Sequence, residues 1–173
     1  LPKHMLTIGY DHDLEVLITP NVTRRKEITP AREALNGYQR GQCFYCFGGI
    51  SILSISPYLA HVDHFFPHWL KQTEIGREVN LDGVWNLVLA CQTCNGAAEK
   101  GGKLPAIQFL ERLNRRNEFL IASHDPLRET LMIQTGATPQ ARGRFLDSLH
   151  AKVRRSGAGL NTWTTKPQGV ALF

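Results

Sequence analysis

Two pairs of cysteines stand at identical spacing in this sequence. Cys43 and Cys46 form the first pair, Cys91 and Cys94 form the second, and the chain has four cysteines in all. A Cys-x-x-Cys turn holds two thiolates close enough for one metal ion, and two such turns complete a tetrahedral site. Four soft ligands with no open position favour zinc in a structural role. Redox or buried dithiols and an iron–sulfur cluster stay as alternatives.

A second group of residues that could do chemistry lies around and inside the 44-residue gap between the cysteine pairs. Asp63 and His64 are adjacent, and Asn95 directly follows the second pair. An imidazole can take a proton from water near neutral pH, and carboxylate and amide oxygens are ligands for a hard divalent cation. Neighbouring residues of a strand point to opposite faces, so Asp63 and His64 can serve one site only where the strand ends.

These segments resemble the motif of the HNH endonucleases, the ββα-metal or His-Me finger family, in its four-cysteine form. Asp63 and His64, followed by two apolar residues and Pro67, match the first part of the motif. Asn86, an apolar run, the second cysteine pair and Asn95 match the second part. The resemblance departs from the commonest pattern at Asn95, where a histidine is usual, and this affects the expected metal preference.

The resemblance implies a function as well as a fold. His64 is then the general base, Asp63 and Asn95 hold a catalytic Mg²⁺ or Mn²⁺, and Asn86 ties a loop to the strand that carries His64. The reaction is hydrolysis of DNA phosphodiester bonds to 5′-phosphate and 3′-hydroxyl ends, in a restriction or antiviral defence setting. Two rival functions are a non-catalytic zinc module that binds nucleic acid, which would not need Asp63, His64 and Asn95 together, and a nuclease acting on RNA.

Composition sets the frame for this site. The chain has 173 residues, of which 42% are hydrophobic, enough for one domain with its own core. Its net charge of +5 leans toward a polyanionic partner such as DNA. We find no secretory signal and no apolar run that could span a bilayer, so we expect a cytoplasmic protein without a membrane partner. A sequence that starts at Leu1 is also compatible with a piece of a larger multidomain protein or complex.

The order of apolar and turn-forming residues predicts an α+β fold in four segments. They are a strand and helix extension, the zinc-stapled ββα-metal finger, a helical extension and an irregular tail, at residues 1–40, 41–104, 105–156 and 157–173. Strands are predicted at 15–18, 58–66 and 85–90, the last two forming a long-loop hairpin. Helices are predicted at 31–39, 105–122, 126–136 and 139–156. Three of them start at a cap residue before proline, at Thr29-Pro30, Asp125-Pro126 and Thr138-Pro139.

Basic side chains form a further pattern on the predicted helix at 105–122. Arg112, Arg115 and Arg116 are expected opposite the apolar side chains of Leu110, Leu113 and Leu120. Such a stripe is either a solvated face or a grip on nucleic-acid phosphates. Weaker candidates for phosphate contacts are Lys100, Lys103, Arg142, Arg144, Lys152, Arg154 and Arg155.

Overall fold

The computed structural model describes residues 8–12, 15–19, 26–123, 126–158 and 161–173. They form a mixed helix and sheet structure with two small antiparallel sheets, which confirms the α+β class. The first sheet has the order β1-β2-β3, with strands Gly9–Asp11, Val16–Thr19 and Lys26–Pro30. The second sheet pairs β4 (His61–His64) with β5 (Leu87–Ala90).

The hairpin of β4 and β5 is the centre of the structure. His61 pairs with Ala90 and His64 with Leu87, so the hairpin predicted between the cysteine pairs is confirmed, with shorter strands. All four residues of β5 are buried. Its other edge is closed by the Gln39 side chain, whose Nε2 donates to the Leu89 carbonyl and whose Oε1 accepts from the Leu89 N–H, both at 2.8 Å. At Leu89 this amide takes the place of a neighbouring strand.

Helices begin and end close to the predicted positions. The helices of eight or more residues are α1 (Ala31–Gln39), α4 (Ile107–Ala122), α5 (Arg128–Thr135) and α6 (Pro139–Val153). Two short helices, α2 (Glu74–Glu78) and α3 (Gln92–Asn95), lie between them. Single turns of 3-10 helix occupy His68–Gln72 and Val84–Asn86, and a π turn, Arg154–Ala158, follows α6.

The predicted helix caps have different outcomes. The Thr138 side chain accepts a bond from the Ala141 N–H at 3.1 Å, as expected for an N-cap before proline. Helix α1 starts after Pro30 with no side-chain cap. Asp125 lies outside the described residues. In the tail, residues 161–173 form no helix or strand and contribute one bridge between Trp163 and Pro105.

The arginine stripe predicted on α4 is wrong for Arg116. This side chain is only 1% exposed, whereas Leu110, Leu113 and Leu120 are buried as expected. Its guanidinium donates to the carbonyls of Leu87 at 2.7 Å, Val84 at 3.1 Å and Trp85 at 3.2 Å. The guanidinium thus reaches the turn before β5 and the first residue of β5, and its five donors can serve several carbonyls at once.

Arg112 is likewise not available to phosphates. It is half-buried, donates to the carbonyls of Phe44 and Tyr45, and lies 4.1 Å from the centre of the Phe47 ring. It therefore supports the first cysteine turn from the side of α4. Of the three arginines only Arg115 is exposed.

Four of the weaker basic candidates also have structural partners, and one of them, Lys103, donates to the carbonyls of Ala98 and Glu99. Lys100 is fully buried. Arg142 is 4% exposed and pairs with Glu118, and Lys152 pairs with Glu78 at 2.6 Å. Phosphate contacts by Lys100 and Arg142 are excluded by this burial, whereas Arg154 and Arg155 are exposed.

Candidate metal centre and active site

The four cysteines converge on one point. All are free thiols, and their Sγ atoms lie within 4.8 Å of one another. Cys46 Sγ and Cys91 Sγ are 3.9 Å apart. A tetrahedral site with zinc–sulfur bonds of about 2.3 Å requires sulfur–sulfur distances of about 3.8 Å. The four cysteines can therefore bind a metal ion such as zinc, as predicted from their spacing.

Backbone N–H groups point at one thiol of each cysteine turn. The Gly48 N–H points at Cys46 Sγ and the Cys94 N–H at Cys91 Sγ, each at 3.4 Å. Hydrogen bonds among the thiols lower the pKa of Cys46 to about 7 and also lower the pKa of Cys91, whereas the pKa values of Cys43 and Cys94 are raised. Each turn therefore has one thiol that ionises more readily than usual and one that ionises less readily, and a zinc ion would bind all four as thiolates.

Asn86 connects the loop before β5 to the chain after β4. Its Oδ1 accepts from the Phe66 N–H at 2.7 Å, and its Nδ2 donates to the carbonyls of Phe66 at 3.1 Å and Leu81 at 2.9 Å. The side chain is fully buried. The two bonds to Phe66 join the segments, and the bond to Leu81 lies within the loop before β5.

Asp63 points into the protein. The Tyr45 hydroxyl donates to its Oδ2 at 2.6 Å, and the Lys100 ammonium lies 3.1 Å from Oδ1 and 3.0 Å from Oδ2. Lys100 also donates to the His64 carbonyl at 2.8 Å. Burial raises the pKa of Asp63, while Lys100 and Tyr45 act in the opposite direction. Both carboxylate oxygens are thus engaged by protein donors.

Asn95 lies on the same face of the hairpin as Asp63. Its amide Nδ2 donates to His61 Nδ1 at 3.0 Å. Residues two apart on a strand share a face, so His61 and Asp63 point the same way and His64 points the other way. The structure therefore brings Asn95 near the Asp63 face and separates both from the His64 imidazole.

His64 stands in a cluster of histidines around Asp82. Its Nε2 lies 2.9 Å from Asp82 Oδ1. The ring is stacked parallel to that of His12 and meets the His68 ring edge-on, with 5.1 Å between centroids in both cases. Burial lowers the pKa of His64 to about 4, against the opposing effect of Asp82. The imidazole is therefore neutral at pH 7 and has a lone pair to offer.

Asp82 is the hub of this cluster. It accepts from His12 Nε2 at 2.7 Å, from His64 and from the ammonium of Lys71. Burial alone would raise the pKa of Asp82, but the bonds from Lys71, His12 and His64 together hold it well below its ordinary value. A charged carboxylate thus orients the His64 ring, which is how a general base is commonly positioned.

Sequence reasoning missed Asp82, Lys71 and His12. These residues come from the end of β1, the turn after Pro67 and the loop before Asn86, and no short motif connects such segments. The one sequence signal for this cluster was that His61 and His68 lie close to His64 in a chain with seven histidines.

Comparison of the chain with protein-family models, with curated proteins and with solved structures gives no match. Within the part of the chain that the structure describes, no helix has the length and apolar character needed to cross a membrane.

Proposed function

We propose that this chain is a metal-dependent endonuclease of the HNH type that hydrolyses phosphodiester bonds in DNA. The observation that carries the proposal is the setting of His64: a neutral imidazole at the end of β4, bonded to the Asp82 carboxylate. Cysteine turns flank the hairpin on both sides, and Asn86 ties its loop, in the order and spacing of the motif. A restriction or defence role is part of the same proposal.

In this proposal His64 accepts the proton of the attacking water. Asp82 holds the ring in place and stabilises the imidazolium that forms. Lys71, whose side chain is 32% exposed, stands beside them and can exchange its bond to Asp82 for one to a substrate phosphate. A divalent cation, when bound, would neutralise charge on the phosphate and on the leaving oxygen.

Asp63 and Asn95, the cation ligands that the resemblance implies, do not form an open cation site in the arrangement described. A cation on Asp63 would compete with the ammonium of Lys100. Lys100 is fully buried and cannot move into solvent unless the segment after the second cysteine turn rearranges. The cation and the Lys100 ammonium would both be positive, and like charges at such a short distance repel strongly in a buried site. The ligand role of Asp63 and Asn95 stays a prediction, and no step is assigned to it.

The same ion pair favours a second candidate function. If Asp63 and Lys100 are only structural, the chain is a zinc module that binds nucleic acid without cutting it. Hydrolysis of RNA is a third outcome of the same test.

Incubation of the purified protein with supercoiled plasmid, and in parallel with labelled single-stranded RNA, separates these functions. We expect nicking and linearisation of the plasmid with Mg²⁺ or Mn²⁺ and none with chelator. Plasmid that stays intact with every cation, while the protein retards it on a gel, would replace the nuclease with the binding module. Cleavage of RNA alone would change the substrate.

A further inference from the structure

We propose that His12, His68 and Asp82 form a second metal site, which takes a divalent first-row transition metal ion such as Zn²⁺, Co²⁺ or Ni²⁺. The candidate ligand atoms of these three residues all lie within 4.8 Å of one another. They belong to three separate segments: the residue after β1, the first residue of a 3-10 turn, and the loop before the turn Val84–Asn86.

The donor set suits such an ion. Two imidazoles and one carboxylate are a combination found for zinc and for other transition metals, with the remaining positions left to water. Metal–nitrogen bonds of about 2.0 Å place neighbouring ligands about 3.3 Å apart, so the most distant pair must approach by at most about 1.5 Å. His12 and His68 are exposed and can move this far by side-chain rotation.

The close packing of three histidine rings is the second observation that supports this metal site. The centroids of His12, His64 and His68 are each 5.1 Å from the other two, so three imidazoles face one carboxylate. Protonated imidazoles would repel one another at this distance. A neutral imidazole has one nitrogen lone pair, which His12 can present to a cation after it gives up its hydrogen bond to Asp82. Such a cation gives the two exposed rings a common partner.

Lys71 is the group that opposes metal binding. Its ammonium bonds to Asp82 and lies 3.4 Å from His68 Nε2, so it occupies the place of a cation between two of the ligands. Its side chain is 32% exposed and can turn into solvent when a metal ion arrives. Lys71 therefore lowers the affinity of the site without closing it.

This site differs from the four-cysteine cluster and from the face that carries Asp63 and Asn95. It also does not depend on the proposed nuclease activity, because metal binding can be measured without a substrate. A failure of the metal site would leave the function of His64 to its own test.

The test is titration of Ni²⁺ by calorimetry into protein that holds one zinc ion per chain, on the four cysteines, with excess zinc removed. We expect one Ni²⁺ bound per chain in the parent protein and loss of this binding in the double variant His12→Gln/His68→Gln. A Co²⁺ spectrum of the same sample should lack sulfur-to-metal charge transfer, because nitrogen and oxygen are the ligands. His61→Gln is the matched control on the opposite face and should bind Ni²⁺ like the parent.

Lys71→Met tests the site in the opposite direction. Removal of the competing ammonium should tighten Ni²⁺ binding several-fold. If Ni²⁺ were bound by a surface histidine elsewhere, its affinity would not change in this variant. Unchanged Ni²⁺ binding in the double variant, equal loss in His61→Gln, or no tightening in Lys71→Met would each overturn the proposal. Zinc content and thermal melting of every variant establish that the fold is kept.

Discussion

At the scale of single residues, the ion pair between Asp63 and Lys100 links β4 to the segment that follows the second cysteine turn. The Lys100 ammonium is fully buried and donates to the Asp63 carboxylate and to the His64 carbonyl. A buried charge without its partner is costly, whereas removal of both charges together is often tolerated. The pair therefore holds β4 in place through two adjacent residues.

A double-mutant cycle tests this pair. Lys100→Met should lower the free energy of unfolding by about 3–5 kcal/mol, because it leaves a buried carboxylate unpaired. The double variant Asp63→Asn/Lys100→Met should recover a large part of that loss. Chemical denaturation gives both values. Additive losses in the double variant would mean that the two charges do not interact.

Asp63, His64, Asn86 and Asn95 could be chosen from the sequence because they stand in one motif at fixed spacing. The partners of Asp63 and His64 could not be chosen. Tyr45 lies between two cysteines, where only the metal ligands attract notice, and Asp82 lies in a loop with no pattern. Contacts between distant segments depend on packing, which a local pattern does not encode.

At the scale of elements, both cysteine turns attach to the same end of the hairpin, where His61 pairs with Ala90. The first turn bonds to β5 through the Phe44 N–H and the Leu89 carbonyl at 2.9 Å, and the second follows β5 directly. Metal at such a site contributes its binding energy to folding. The turns and the hairpin should therefore form together.

Zinc content provides the prediction for these turns. The purified protein should hold one tightly bound zinc ion per chain, and Cys91→Ser should lose that ion and melt well below the parent. Elemental analysis and circular dichroism measure the two effects, with Ser51→Ala as a control away from the metal. A zinc-free parent, or a Cys91→Ser protein that melts like the parent, would contradict the site.

Helix α4 supports the hairpin through Arg116. Its loss would remove the donor to the Leu87 carbonyl, whereas the Val84 and Trp85 carbonyls would keep bonds from the Leu87 N–H and the Asn117 amide. A buried group left without a partner costs about 1–3 kcal/mol, so Arg116→Met should lower the free energy of unfolding by about that amount, whereas Arg115→Gln on the exposed side should leave it nearly unchanged. Equal effects of the two substitutions in urea denaturation would instead support a solvent-exposed position for Arg116.

The helices were predicted well because their apolar spacing and their proline starts are local signals. The strands were predicted less well. Strands β1 and β3 have polar sequences, and they are paired through β2, so their conformation depends on a neighbour. The predicted strands at 58–66 and 85–90 were both too long. In the second case a 3-10 turn occupies Val84–Asn86, so β5 begins only at Leu87.

At the scale of the whole molecule, His150 on α6 connects that helix to the segment just before α4. Its Nε2 lies 2.8 Å from the Pro105 carbonyl, just before α4, and the residue is 3% exposed. Burial lowers the pKa of His150 below its ordinary value of 6.5. The unfolded chain therefore binds a proton at this residue more readily than the folded chain below pH 6.5.

Acidification below pH 6.5 should thus cost stability, by up to about 1.4 kcal/mol per pH unit from this one group. The contribution of neutral His150 is fully present above pH 6.5 and is lost as the pH falls. His150→Gln should flatten the pH dependence of the free energy of unfolding in that range. Parallel curves for parent and variant between pH 7.5 and 5 would show that His150 does not titrate differently on folding.

His64 is proposed as the general base of a phosphodiesterase site. The most direct measurement is the single-turnover rate of DNA cleavage by His64→Ala against the parent, at equal zinc content and equal melting temperature. Loss of a general base costs about 10²–10⁴ in rate, so cleavage by the variant should fall by that factor. A His64→Ala protein that cuts DNA at the parental rate would contradict the account.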